Sequence, residues 1–333
     1  MPSLAYEVGK LVIRKPKLPS VLLLAGLMAL IVWPLFLREA PMHYRVLGMA
    51  CFYGALAFSW NIFALTGAIS LGHAAFFGLG AYGSALANHY LHLSPAITII
   101  LGGLLGVSYG ALWSVTLKGL RGAGLALATL ASVEIPRVII DNWQSFTFGS
   151  LGLAGVEGLP SLHVGGNVFA FGESLRSQYY LLLFFMVFVS IIHRTAITTK
   201  WGWALRSVRE DETAAAALGV DGPGTRRRAL MLSAFLTGLC GGIYAHLIGI
   251  VEPSLVFSLH ISALPLVLSI FGGRYQWYGP LLGALILYPL DQLLLHAWIP
   301  AGHAALYGLV IMITLLFFPH GVGAWLQQRV KSA

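Results

Sequence analysis

Apolar residues run through this chain in long uninterrupted blocks, separated by short polar or glycine-rich breaks. Ten blocks are long enough to cross a hydrocarbon core as helices, since about 20 residues rising 1.5 Å each cover roughly 30 Å. They fall at 21–37, 46–66, 70–90, 95–117, 122–140, 178–194, 229–251, 260–274, 279–297 and 303–319. A barrel strand would alternate apolar and polar residues, and no such alternation is present. The pattern predicts an all-α polytopic membrane protein of about ten transmembrane helices, forming a single transmembrane domain over 1–333.

Two stretches interrupt the pattern. Residues 141–177 are rich in glycine and contain Gly158-Leu159-Pro160, which predicts an irregular loop with short helices or a hairpin. Residues 194–228 are the most polar part of the chain. With a single span, 178–194, between them, the two stretches fall on opposite sides of the membrane.

Composition reinforces the membrane reading. Apolar residues make up 58% of the chain and charged residues 10%, whereas a soluble domain carries about a quarter charged. The net charge of +8 would suggest nucleic acid in a soluble protein. In a membrane protein it signals Lys and Arg concentrated in cytoplasmic loops. With both termini in the cytoplasm, Lys10, Arg14, Lys118, Arg206, Arg209 and Arg226 to Arg228 all fall inside, and only Arg38, Arg45, Arg137 and Arg176 stay at or near the outer face. That topology makes 141–177 external and 194–228 cytoplasmic. The first block follows Arg14, Lys15 and Lys17 like a signal peptide, but Arg38-Glu39-Ala40-Pro41 lacks a small-x-small cleavage pattern, so an uncleaved first helix is expected. Cys51 and Cys240 lie in apolar blocks far apart and have neither disulfide nor zinc spacing.

Spans two to five and seven to ten form two four-helix groups of opposite orientation, as an inverted repeat would produce. Gly102, Gly106 and Gly110 recur at four-residue spacing, as do Gly279 and Gly283, which predicts close helix–helix contact along one face.

The segment around Asn61, Thr66-Gly67 and Ser70-Leu71-Gly72-His73-Ala74-Ala75-Phe76 breaks an otherwise apolar run. Freed backbone groups there require either a lined cavity or neighbouring protein. Asn61, Ser70, Gly72, His73 and Phe76 are therefore candidates to line a solute path, with a plain turn between two spans as the competing reading. Glu134 and Asp291 join them as ionisable residues inside spans, where a lipid-facing carboxylate is costly. Glu134 has an alternative use as a local pair with Arg137, three residues on. In the polar stretch, Asp211 suits a helix N-cap, Ala214 to Ala217 favour helix, and Gly219 suits its left-handed end. A small-faced helix flanked by Arg206, Arg209, Glu210 and Glu212 can dock into a groove on another protein or rest on anionic lipid.

The run SLGHAAFFGLGAY resembles the signature of permease subunits of branched-chain amino acid ABC importers. Leu127 to Ala131 with Glu134, Arg137 and Asn142-Trp143, then Gly149-Ser150-x-Gly152-Leu153, Trp201 to Gly219, and Gly272-Gly273 with Gly279-Pro280, follow in that family's order and spacing. Arg274-Tyr275 and Pro136 depart from its pattern. The resemblance implies a translocation path opened by alternating access. It also implies a second permease chain, two cytoplasmic ATPase subunits, and a periplasmic solute-binding protein, in the bacterial inner membrane. Arg206, Arg209, Glu210, Glu212, Ala214, Ala215, Leu218 and Gly219 would form the ATPase-coupling loop. Relatives in the wider family carry urea, amides or aromatic acids.

No phosphate-binding G-x-x-x-x-G-K-[ST] run is present, so ATP and magnesium are expected on the partner subunits and no cofactor or metal on this chain. No nucleophile elbow or H-E-x-x-H pair supports an enzyme. His89 and His92 have no third ligand nearby in sequence and read as a helix-end pair. A self-sufficient secondary transporter is the remaining alternative, with few buried ionisable groups to couple an ion.

Overall fold

The structure is a computed structural model that describes residues 30–32, 41–116, 119–164 and 167–295, with short helical pieces between 308 and 325. The expected first and last spans, and the basic residues of both termini, lie largely outside the described residues.

Ten helices organise the described chain: α1 (Pro41–Ala64), α2 (His73–Leu91), α3 (Pro95–Thr116), α4 (Gly122–Asn142), α5 (Leu175–Thr198), α6 (Lys200–Glu210), α7 (Glu212–Ala217), α8 (Gly222–Ile248), α9 (Leu259–Gly272) and α10 (Gly279–Leu290). A five-residue π-helical turn, Asp291–Leu295, continues α10. Among the described residues six helical segments are long and apolar enough to cross a membrane, and α10 with its π turn is a shorter apolar one. The all-helical, polytopic expectation is met. The two short antiparallel sheets all belong to connections: β1 (Leu153–Ala154) pairs with β4 (Ile250–Val251), and β2 (Ser161–Val164) forms a hairpin with β3 (Asn167–Ala170).

The helices sort their residues inside-out relative to a soluble bundle. On α3 the buried positions are Gly102, Gly103, Gly106 and Gly110 with Pro95 and Thr98, while Ile97, Ile100, Leu104, Leu105, Leu112 and Val115 are exposed. Water would penalise that arrangement and lipid does not. α1 is apolar on every face and almost wholly buried, so it forms the centre of the bundle.

Packing follows two crossed groups. α8 lies against α2 and α3, which pack on each other, and α1 lies against α9 and α10, which also pack on each other. Each central helix therefore serves the other group, and α1 and α8 meet between them. The expected inverted repeat would place helices in two such groups.

Glycines set the spacing. Gly80, Gly102 and Gly238 meet where α2, α3 and α8 cross. A Cβ on Gly102 would stand 2.5 Å from the Gly80 carbonyl oxygen, and one on Gly238 2.7 Å from that of Gly102. In the second group, Gly272, Gly279 and Gly283 bring α9 and α10 together so closely that any Cβ there would run into a facing carbonyl.

Candidate translocation and coupling site

The α1–α2 connection is a turn, not a broken helix. α1 ends at Ala64, Gly67 takes the left-handed conformation at φ 83°, and α2 begins at His73. Most of the turn is shielded all the same, Gly67 remaining exposed, because α4 and α6 lie against it. The Leu71 N–H donates to Thr129 Oγ1 at 3.0 Å, and the Arg209 side chain lies over Gly67.

Five of the path candidates cluster around this turn, and all five are buried. Asn61 has no exposed surface: its Nδ2 donates to the Arg274 carbonyl (2.9 Å) and its Oδ1 faces His193 Nε2 at 2.8 Å. An amide oxygen can only accept, so His193 carries its proton on Nε2. His73 Nε2 lies 2.7 Å from Ser233 Oγ, whose single proton goes to the Ser59 carbonyl, also at 2.7 Å. His73 must therefore donate, and it too is the Nε2–H tautomer. Ser70 accepts twice: its carbonyl from Trp60 Nε1 (2.8 Å) and its Oγ from the Gly72 N–H (3.1 Å). Gly72 has no room for a side chain, since a Cβ would stand 2.7 Å from the Thr129 carbonyl. Phe76 packs edge-on to His73 and Tyr109. In this conformation the five residues join α1, α2, α5, α8 and the α9–α10 turn.

His193 and Ser233 carry half of these bonds and were not singled out in the sequence. The available signal was a lone polar side chain in an apolar span, which demands a buried partner.

Glu134 and Asp291 lie apart from that cluster. Glu134 sits on the open face of α4, its side chain 58% exposed, 3.4 Å from Arg137, which also reaches Asp141 at 3.8 Å. Asp291 begins the π-helical turn. Its Oδ2 accepts from Gln292 Nε2 at 3.1 Å, and its buried Oδ1 has no hydrogen-bond partner among the described residues.

The polar segment folds as two short helices across the end of the bundle that holds the α1–α2 turn. α6 buries Gly202, Leu205 and Val208 on one face. Arg206 turns back to the end of α5, donating to the Gly202 and Ile197 carbonyls and stacking over Trp203 at 4.5 Å. Arg209 pairs with Glu210 and stacks on Tyr275 at 4.3 Å, and Arg274 stacks on the same ring at 4.6 Å. The Arg274-Tyr275 departure thus ties α6 to the α9–α10 turn.

Asp211 caps α7, accepting from the Thr213 and Ala214 N–H groups at 2.8 and 3.0 Å. α7 ends in a Schellman turn, with Val220 N–H to Ala215 O, Gly219 N–H to Ala216 O, and Gly219 at φ 82°. The docking candidates then divide. Ala214, Leu218 and Gly219 are exposed, Leu218 by 83%, and nothing stands within 4 Å of where a Gly219 Cβ would be. Ala215 is buried, and Glu212 is turned inward to Arg121 (2.7 Å) and Arg226 (3.1 Å). Arg121 and Arg226, like His193 and Ser233, were not legible as partners. Elsewhere, His89 packs edge-on to Tyr90 and Phe148, and among the described residues no three His, Cys, Asp or Glu side chains group as a metal would need.

Comparison with known proteins agrees with this architecture. Residues 42–318 match the family described as "Branched-chain amino acid transport system / permease component". The chain is similar to the high-affinity branched-chain amino acid transport system permease protein LivM of Salmonella typhimurium, 28% identical over 94% of this chain and 76% of that protein. It is likewise similar to LivM of Escherichia coli, 26% identical over 98% of this chain and 83% of that one. The nucleoside ABC transporter permease protein NupC of Lactococcus lactis is 26% identical over 55% of this chain and 60% of its own. No solved structure matches significantly. With the motifs in order and the match spanning both helix groups, the chain belongs to the family of branched-chain amino acid transport permease components, as a multi-pass membrane permease.

Proposed function

We propose that this permease forms the translocation path of an ATP-driven importer for branched-chain or other small amino-acid-like solutes, and that ATP is bound and hydrolysed by separate subunits docked on α6–α7. The similarity to the LivM proteins covers nearly all of the chain and that to the nucleoside permease about half, which favours the amino-acid class. In this reading both termini and 194–228 are cytoplasmic and 141–177 is external. A second permease chain completes the path, and a periplasmic binding protein delivers solute.

One observation carries the coupling role: the exposed tip of α7. An apolar Leu218, 83% exposed, stands beside a glycine with open space around it among the described residues. Such a knob on a stiff helical turn fits a cleft on a partner. The open face of α4 with Glu134 is proposed to border the path against the second permease, because a carboxylate 58% exposed on a spanning helix is too costly to leave facing lipid. Asp291, also toward the outer end of its span, is proposed to border it as well.

The test is reconstitution with the ATPase subunits and binding protein. Gly219→Val should insert and fold normally, since exposed substitutions usually change stability by less than about 0.5 kcal/mol, plus the strain of a left-handed β-branched residue. It should nevertheless lose ATPase subunits on co-purification, and with them ATP hydrolysis stimulated by loaded binding protein. Full retention of both would defeat the coupling assignment.

A further inference from the structure

Glu212 sits where three elements meet, and its carboxylate faces away from the tip of α7. It is the first residue of α7, its side chain is 16% exposed, and its Oε2 reaches Arg121 Nη2 at 2.7 Å and Arg226 Nη2 at 3.1 Å. Arg121 is the N-cap residue of α4, the helix that carries Glu134, and Arg226 lies in the second turn of α8. Room for the carboxylate comes from the first residue of α8: a Cβ on Gly222 would stand 2.8 Å from Glu212 Oε1. Clefts of about 340 Å³ and 270 Å³ flank the three charges on either side, and Arg121, Glu212 and Arg226 border both.

We propose that Glu212 is a positioning residue that transmits motion of α7 to α4 and α8 together, and is not itself a contact with the ATPase. This rests on the reading of the α7 tip as the docking element. The physics favours transmission over docking. A carboxylate held between two guanidinium groups, mostly out of water, is a stiff link, because either arginine loses a charge-assisted bond if it moves alone. Without the carboxylate, Arg121 and Arg226 are left as neighbouring like charges, which pushes the end of α4 away from α8 and ties neither to α7. The open volume on both sides gives the link space to shift as a unit. α4 also meets this end of the bundle at the α1–α2 turn, through Thr129 and Ser132.

The test separates docking from transmission and needs no knowledge of the solute. Gly124→Cys places a thiol on the exposed first turn of α4, where a Cβ meets open space, while Cys51 and Cys240 are buried and give little background. Its reaction with a membrane-impermeant maleimide is followed in the assembled importer, with and without trapping by ATP and vanadate. Trapping should change the labelling rate by at least about threefold in the parent, the size of a modest coupling energy. Glu212→Gln should keep its ATPase subunits on co-purification and lose that change. Arg121→Gln, at a side chain 66% exposed, should do the same, and carries the test alone if Glu212→Gln fails to insert and fold. ATPases lost with Glu212→Gln but kept with Arg121→Gln would make Glu212 a docking contact and overturn the inference while leaving the proposed function intact. A labelling change that persists in Arg121→Gln, or that is absent from the parent, would also overturn it. ATPases that fail to bind the parent would remove the proposed function and this inference with it.

Discussion

Between Ser59 and Tyr82 side chain after side chain is closed off from solvent, whereas between Glu210 and Gly219 most are open to it. Both regions carry polar groups at a density unusual for this chain, and they use them differently. In the first, Ser59, Asn61, Ser70 and His73 satisfy buried partners, most of them on other elements, with bonds of 2.7–3.1 Å. In the second, Asp211 satisfies the backbone of its own segment, and Leu218 and Gly219 face outward, Leu218 83% exposed and Gly219 with open space around it among the described residues. A polar group enclosed by protein specifies the fold, and a shaped apolar knob left outside it specifies a partner. Recognisable sequence therefore marks two different things here.

The comparison can be broken most severely at the glycine crossing. Gly238→Leu puts a side chain against the backbone of α3, where Gly102 is already seated against Gly80 of α2 and Gly103 against Phe235 and Leu239 of α8. A loss above about 4 kcal/mol is expected, read as aggregated protein on size exclusion after detergent extraction. Asn61→Leu is next. It leaves the His193 N–H and the Arg274 carbonyl without partners, at about 1–3 kcal/mol for each group. Its thermal midpoint should fall clearly, and Asn61→Leu with His193→Leu should cost less than the sum of the two. Normal stability in Asn61→Leu would mean that the buried network does not hold the bundle.

Smaller effects sharpen the contrast. Within α7, Ala215→Asp buries a charge at a position 2% exposed and should destabilise the protein, while Ala216→Asp, one residue on and exposed, should not. Equal melting temperatures for the two would contradict the division of α7 into an inner and an outer face. The smallest expected stability change is for Glu134→Gln, which removes a surface pair worth about 0–1 kcal/mol. Its effect should appear in uptake instead. Unchanged uptake at normal expression would reduce Glu134 to a local partner of Arg137.

Much of the fold was legible because lipid imposes simple rules. Block length gave the helices, and four-residue glycine spacing gave the α3 seam and the α9–α10 contact. The ends of helices were less legible: α8 begins at Gly222, inside the polar stretch, because Asp221 caps it, accepting from the Gly224 N–H at 3.0 Å. At the site, the left-handed Gly219 and the Asp211 cap could be read locally. The partners of Asn61 and Glu212 could not, since His193, Arg274, Arg121 and Arg226 lie far away in sequence. A six-residue helix also has too few turns for periodicity to show which way Glu212 and Ala215 point.

The most direct test of the central claim is at the tip of α7. Leu218→Cys and Leu151→Cys place thiols on two highly exposed positions, 83% and 89%, one in each polar stretch. Both are treated with a membrane-impermeant maleimide in sealed vesicles of either orientation, with and without the ATPase subunits. Leu218→Cys should react only from the cytoplasmic side and be protected when the ATPases are bound, while Leu151→Cys reacts only from the opposite side and is indifferent to them. Labelling of Leu218→Cys from the periplasmic side, or at the same rate with the ATPases in place, would contradict the account.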